Sequence, residues 1–89
     1  MSKTSANAIT VTVLFFGAAR DAAGVGQADV ETIGPAFVST IKETVYRTYE
    51  PVSHFAKSLM VAVNEEYATD DTPLNDRDVV AFLPPVSGG

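Results

Sequence analysis

Apolar and polar residues alternate most regularly between residues 9 and 16, and this alternation predicts a β-strand. One face of the strand is apolar throughout, with Ile9, Val11, Val13 and Phe15. The other face changes from polar to apolar along the chain, in the order Thr10, Thr12, Leu14 and Phe16. Because successive side chains of a strand point to opposite faces, we expect the first set in the core and Leu14 and Phe16 outside it.

The remaining pattern predicts one long helix and several shorter elements. After Gly34-Pro35, apolar residues recur at helical spacing, at positions 37, 38, 41, 45 and 49. Proline suits the first helical position, and the residue before Pro51 is disfavoured in a helix, so we expect a helix from Pro35 to about Glu50. We also expect a helical turn over residues 17–24, strands over 28–33, 59–64 and 79–83, a short edge strand within 65–69, and loops over 52–58 and 70–78.

The order of the main elements is strand, strand, helix, strand, short strand, strand. One long helix can cover one face of a mixed sheet, which gives an α+β arrangement of two layers. The first and last strands are the most apolar, so we expect them to be parallel neighbours at the centre of the sheet. This is the β-grasp, or ubiquitin-like, fold. We expect it over residues 9–83, between a disordered leader at 1–8 and a flexible, extended C-terminal tail at 84–89.

The last six residues have a composition that a sheet does not require. Pro84 and Pro85 have no N–H donor to continue a sheet ladder, and they favour a stiff polyproline II conformation. Gly88 and Gly89 lack a Cβ and fit into a slot too narrow for other residues. Six extended residues reach roughly 20 Å, so the carboxylate of Gly89 could enter a site on another protein. Many chains also end in frayed Ser and Gly, which is the alternative interpretation.

Composition restricts the function further. The chain has no cysteine, which excludes disulfides and a cysteine nucleophile, and its single histidine, His54, argues against a histidine-based metal site. The 6 Lys+Arg and 11 Asp+Glu give a net charge of −5, which argues against nucleic-acid binding and suits docking on a basic partner surface. No run of about 18 apolar residues or secretory signal is found, so we expect a cytoplasmic protein that does not enter a membrane.

Three stretches resemble the small subunit of molybdopterin synthase, the MoaD family of ubiquitin-like sulfur carriers. Residues 11–24 are similar to the first strand and following turn of that family, including Arg20, and residues 61–64 to its central strand. Residues 74–89 are similar to its C-terminal block, and the ending Phe-x-Pro-Pro-Val-Ser-Gly-Gly is the specific part. Gly17 departs from the family pattern, in which alanine is expected.

The resemblance implies a cycle in which this chain carries sulfur and supplies no catalytic side chain. A ubiquitin-activating-type, MoeB-like enzyme uses ATP to adenylate the carboxylate of Gly89, and a sulfur donor protein converts it to a thiocarboxylate. The large, MoaE-like subunit, in a heterotetramer with this chain, then transfers the sulfur to cyclic pyranopterin monophosphate in molybdenum cofactor biosynthesis. No cofactor or metal would be bound permanently. The residues implied in tail insertion are Pro84, Pro85, Val86, Ser87 and Gly88.

The resemblance also implies a partner interface at Phe16, Arg20, Tyr67 and Leu83. Several apolar residues exposed together indicate such an interface. Arg20 could instead pair with Asp21 or another neighbour. The acidic residues at 65–66 and 70–71 are interpreted as solvated turns or as docking residues, and those at 76 and 78 as shaping the turn before the last strand rather than binding metal.

Three other functions remain open at this point. A sulfur carrier for another pathway, such as the thiazole step of thiamine synthesis, also ends in Gly-Gly, although such carriers are usually shorter and lack the Pro-Pro-Val-Ser form. A ubiquitin-like modifier would join Gly89 to a lysine after the same activation step. A β-grasp binding module would make no use of the tail.

Overall fold

The computed structural model describes residues 8–84, and the predicted leader residues 1–7 and tail residues 85–89 lie outside this range. The described residues form seven strands and three helices. In chain order they are β1 (Ala8–Phe15), α1 (Gly17–Ala23), β2 (Gln27–Ile33), β3 (Ala36–Phe37), α2 (Val38–Thr48), α3 (Glu50–Ser53), β4 (Met60–Val63), β5 (Glu66–Ala68), β6 (Pro73–Leu74) and β7 (Val79–Leu83). Within residues 8–84, no helix is long and apolar enough to cross a membrane.

Five of the strands form one mixed sheet in the order β2-β1-β7-β4-β5, and β3 and β6 form a separate antiparallel pair. β1 and β7 run parallel, with Thr12 beside Val79 and Phe15 beside Phe82. The other pairs of the large sheet are antiparallel. The first and last strands are therefore the parallel neighbours at the centre, and the predicted β-grasp fold is confirmed.

The core lies between one face of this sheet and the helices. β1 and β7 supply its centre, and α2 covers it. The aromatic ring of Phe15 lies 5.9 Å from that of Phe82 and 5.3 Å from that of Tyr49, measured between centroids. The predicted inward face of β1 is confirmed for Val11, Val13 and Phe15, which have at most 1% of their surface exposed, while Ile9 is half-buried and packs against the core. The other residues with at most 1% exposure include Val38, Ile41 and Val45 of α2 and Val80 and Phe82 of β7.

The start of the long helix was predicted wrongly. The helix begins at Val38 instead of Pro35, because Ala36 and Phe37 pair with Leu74 and Pro73 as short strands. Phe37 is consequently 38% exposed and caps the helix, with its N–H donating to Thr40 Oγ1 at 3.1 Å. This pairing joins residues far apart in sequence, and it overrides the local preference of proline for a helix start.

The end of the same helix and the start of β1 also differ slightly from the prediction. α2 ends at Thr48, and Pro51 lies in the first turn of the short helix α3, where a missing N–H is tolerated. The predicted loop after Glu50 therefore contains one helical turn. β1 begins at Ala8, which pairs with Ile33, one residue earlier than the alternation indicated.

Replacing Val13 by alanine should lower the free energy of unfolding by about 1–3 kcal/mol, through lost apolar burial and the cavity that remains. The side chain of Val13 is fully buried in the core cluster. The matched variant is Val63→Ala, because Val63 is only half-buried and packs at the margin of the core. Chemical denaturation should therefore show a smaller loss for Val63→Ala, and an equal or larger loss would contradict the position of Val63 at the margin of the core.

Candidate functional site

An open groove of about 580 Å³ lies on the face of the sheet opposite the core. Its side chains alternate along β1, β4 and β7 with the buried ones, so they point away from the helices. We call it the sheet groove. It is lined by Leu14, Phe16, Ala62, Asn64, Glu65, Tyr67, Val79, Ala81 and Leu83.

Strand pairing explains why this surface is concave. Leu14 of β1 lies beside Ala81 of β7, Ala81 lies beside Ala62 of β4, and Ala62 lies beside Tyr67 of β5. These residues form one row across four strands, with two alanines at the centre and larger side chains at both ends. The two short side chains form the floor of the sheet groove, and the larger ones form its walls.

The sheet groove is apolar, and its walls are open to solvent. Phe16 is 44% exposed and Tyr67 is 71% exposed, while Leu14 and Leu83 are half-buried. Ala62 is only 6% exposed although it is not part of the core cluster. An apolar concavity with exposed aromatic walls is typical of a surface that another molecule covers.

The backbone of Phe16 is held in place where β1 meets α1. Its N–H donates to the carbonyl of Phe82 at 3.2 Å, which extends the pairing of β1 with β7 by one residue. Its carbonyl accepts from the N–H groups of Ala19 and Arg20 at 3.0 and 3.3 Å, in the first turn of α1. The ring of Phe16 therefore projects from a backbone that is fixed on both sides, next to the end of β7.

A network of hydrogen bonds fixes the polar end of the sheet groove. Asn64 donates from Nδ2 to Asp78 Oδ1 at 3.0 Å and accepts at Oδ1 from the N–H of Val79 at 3.0 Å. Asp78 also accepts at Oδ2 from the N–H of Asn75 at 2.8 Å. Asp76 accepts from the N–H of Thr10 at 2.8 Å. The two aspartates thus shape the turn before β7, as predicted, and Asn64 joins the end of β4 to the start of β7.

The structure brings together three of the four residues predicted for the partner interface. Phe16, Tyr67 and Leu83 all line the sheet groove. Arg20 does not, because it lies exposed on α1, with its guanidinium close to Gly26. None of the ion pairs between residues 8 and 84 includes Arg20. The interface role of all four residues stays a prediction.

Of the predicted tail residues, only Pro84 lies within the described range, where it is half-buried at the end of β7. Pro85, Val86, Ser87, Gly88 and Gly89 lie outside it. Residues 8–84 contain no group of acidic or histidine side chains that could hold a metal ion. The roles predicted for the last five residues therefore stay predictions.

Sequence reasoning missed the floor of the sheet groove, Ala62 and Ala81. Both residues alternate with apolar neighbours in the sequence, but that alternation does not show that Ala62 and Ala81 lie beside each other on adjacent strands.

On the opposite face of the sheet, burial raises the pKa of the Tyr46 hydroxyl above its ordinary value. The ring of Tyr46 packs against the ring of Phe82, with 6.2 Å between their centroids, on the core side of the sheet and away from the sheet groove.

Comparison with known proteins identifies similar chains along nearly the whole sequence. The model of the ThiS family matches residues 13–89. The molybdopterin synthase sulfur carrier subunit of Mycobacterium tuberculosis is 34% identical over 82 residues, which cover 91% of this chain and 99% of that protein.

Two solved structures share the fold. The putative molybdopterin converting factor subunit 1 from Pyrococcus furiosus is 29% identical, with a TM-score of 0.77 over 88% of this chain and 99% of that one. A complex of subunits 1 and 2 of the molybdopterin-converting factor from Helicobacter pylori matches with 24% identity and a TM-score of 0.68, over 91% of this chain and 100% of that one. At 24% identity, the similarity to the Helicobacter pylori complex is evidence for the fold alone.

Proposed function

The chain belongs to the ThiS family, and we propose that it is the sulfur carrier subunit of a molybdopterin synthase. The observation that carries the proposal is the position of the sheet groove beside the end of β7. Leu83 lines the groove, and Pro84 follows it directly. A partner that covers the groove would therefore receive the tail from Pro84 to Gly89, whose extended reach is roughly 20 Å for six residues.

In the proposed cycle, the carboxylate of Gly89 is the reacting group. A carboxylate oxygen attacks the α-phosphorus of ATP on an adenylating enzyme, and pyrophosphate leaves. A donor with sulfur at the oxidation level of sulfide then attacks the carbonyl carbon, AMP leaves, and a thiocarboxylate remains. In the large synthase subunit this sulfur is transferred to cyclic pyranopterin monophosphate. The side chains that catalyse these steps belong to the partners, and ATP is consumed by the adenylating enzyme.

We propose that the sheet groove docks the adenylating enzyme and the large synthase subunit in turn. Both enzymes must reach the same carboxylate, and the groove is the apolar surface next to the exit of the chain. The Mycobacterium tuberculosis relative is named as a subunit of molybdopterin synthase, which supports the large-subunit partner. A heterotetramer with that subunit and a cytoplasmic location, where ATP is available, are parts of the same proposal.

The alternative functions share the first step of this cycle. A carrier for thiamine thiazole synthesis would form the same thiocarboxylate, and a ubiquitin-like modifier would form the same adenylate before joining Gly89 to a lysine. The name of the relative that is 34% identical favours the molybdopterin pathway. The alignment covers 99% of that relative, so the two proteins also agree in length, which favours the same pathway.

The intact mass of the chain after incubation with the adenylating enzyme, ATP and a sulfur source tests the proposal. We expect a gain that corresponds to the exchange of one oxygen for sulfur, located at Gly89 by fragmentation. Addition of the large subunit and cyclic pyranopterin monophosphate should return the original mass as molybdopterin forms. Covalent conjugates with lysines and no thiocarboxylate would indicate a modifier instead, and an unchanged mass would indicate a binding module.

A further inference from the structure

The turn between β4 and β5 holds a glutamate in a backbone conformation that favours glycine. Val63 pairs with Glu66, so the two strands are joined by a two-residue turn of Asn64 and Glu65. Their φ angles are +52° and +73°, as in a type I′ turn, for which Asn-Gly is the preferred sequence. Asparagine tolerates this region, whereas a longer side chain is strained there. Glycine in place of Glu65 would therefore make the fold more stable.

The fold gives Asn64 a structural role and gives the side chain of Glu65 none. Asn64 joins the end of β4 to the start of β7 through its hydrogen bonds with Asp78 and Val79. The carboxylate of Glu65 is exposed, and it takes part in no side-chain hydrogen bond or ion pair within residues 8–84. A strained residue that makes no stabilising contact indicates a role outside the fold.

Glu65 also lies at the polar end of the sheet groove. Among the described residues that line the groove, Glu65 alone is charged, and the five basic residues between positions 8 and 84 all lie elsewhere. Phe16 and Leu83 lie at the end where β7 finishes, and Asn64 and Glu65 lie at the opposite end. The groove is therefore apolar at one end and negatively charged at the other.

We propose that Glu65 is a specificity-determining residue of the sheet groove, whose carboxylate forms an ion pair with an arginine or lysine side chain of the large synthase subunit. This inference rests on the proposed function, which supplies that subunit as the partner. A partner that covers the groove displaces water from the carboxylate, and an unpaired charge would then oppose docking. A basic side chain opposite Glu65 removes this cost, and the net charge of −5 favours the approach of a basic surface.

The first test compares Glu65→Gln and Glu65→Lys with the unaltered chain in calorimetric titrations with the purified large subunit, at about 0.15 M salt. Glu65→Gln removes the charge and keeps the size of the side chain, so we expect binding to weaken about threefold to fivefold. Glu65→Lys places two positive charges together, so we expect a loss of about tenfold or more. Unchanged affinity in both variants would overturn the proposal.

Glu66→Gln and Glu66→Lys are the matched controls. Glu66 is the next residue in the chain and carries the same charge, but it alternates with Tyr67 along β5 and does not line the sheet groove. Both control variants should change the affinity by less than about twofold, because salt screens charges that are not in contact. Equal losses at positions 65 and 66 would assign the effect to net charge and overturn the proposal.

The dependence on salt tests whether Glu65 acts through its charge. Raising the salt concentration from about 0.05 to about 0.5 M should bring the dissociation constants of Glu65→Gln and the unaltered chain together, since the ion pair is screened. A ratio of the two constants that does not change with salt would show that the side chain acts through packing, and it would overturn the ion pair.

Glu65→Gly separates docking from folding, because its two expected effects have opposite signs. Glycine relieves the strain of the turn, so the melting temperature should rise. The carboxylate is lost, so binding to the large subunit should weaken as much as it does for Glu65→Gln. A lower melting temperature would show that Glu65 serves the fold, and unchanged affinity would show that the carboxylate is not used in docking. Either result would overturn the proposal.

The same titrations distinguish this inference from the proposed function. If the large subunit does not bind the unaltered chain, the proposed function fails and this inference fails with it. If the large subunit binds the unaltered chain and all variants of Glu65 with the same affinity, only this inference fails, and the hairpin is a solvated turn.

Discussion

Deleting Gly89 should abolish molybdopterin formation and leave the fold intact. The proposed reaction takes place at the carboxylate of residue 89, and without that residue the carboxylate lies one residue, about 3.3–3.6 Å, short of the catalytic groups of both enzymes. Among the described residues the core cluster ends at Phe82, so we expect the deletion to leave the core unchanged. Molybdopterin is measured with purified large subunit, adenylating enzyme, ATP and a sulfur source.

One added alanine after Gly89 is the companion variant. It should be equally inactive, because it displaces the carboxylate by one residue and adds a side chain where the glycine had none. The melting temperature and the affinity for the large subunit should stay close to those of the unaltered chain in both variants. A deletion variant that still forms molybdopterin would show that the sulfur is not carried on Gly89.

The face to which each strand side chain points could be predicted from the sequence where apolar residues occupy every second position, because one face of the strand is buried. In β1 the alternation from Ile9 to Phe16 separates core from exterior correctly, because a shift by one residue would expose Val11, Val13 and Phe15. β7 follows the same rule with Val80 and Phe82 inside. The two most apolar strands also proved to be the central parallel pair, since both need neighbours that keep them from solvent.

The features that the sequence did not predict depend on contacts between distant residues. The helix start moved to Val38 because Phe37 pairs with Pro73, and the local rule for Pro35 contains no information about that partner. The floor of the sheet groove requires Ala62 and Ala81 to be neighbours on adjacent strands. The sequence pattern of each strand does not reveal the register in which β4 and β7 pair.

Phe16→Ala and Leu83→Ala should each weaken binding to the large synthase subunit by about tenfold or more, at about 1.4 kcal/mol per decade. Both side chains line the sheet groove, and Phe16 is 44% exposed in the free chain. A buried aromatic anchor at the centre of an interface is often worth about 2 kcal/mol or more. The same variants should raise the KM of the adenylating enzyme for this chain, because both partners are proposed to dock at the groove.

The effect on stability separates docking from folding. Neither residue belongs to the core cluster, so the melting temperature should change little, and somewhat more for the half-buried Leu83 than for Phe16. Phe55→Ala is the matched control, since Phe55 is 38% exposed and lies outside the sheet groove. Calorimetric titration of the three variants with the large subunit should show weakened binding for Phe16→Ala and Leu83→Ala and unchanged binding for Phe55→Ala. Unchanged affinity together with a strongly lowered melting temperature would assign Phe16 and Leu83 to the stability of the fold and remove the groove as the docking surface.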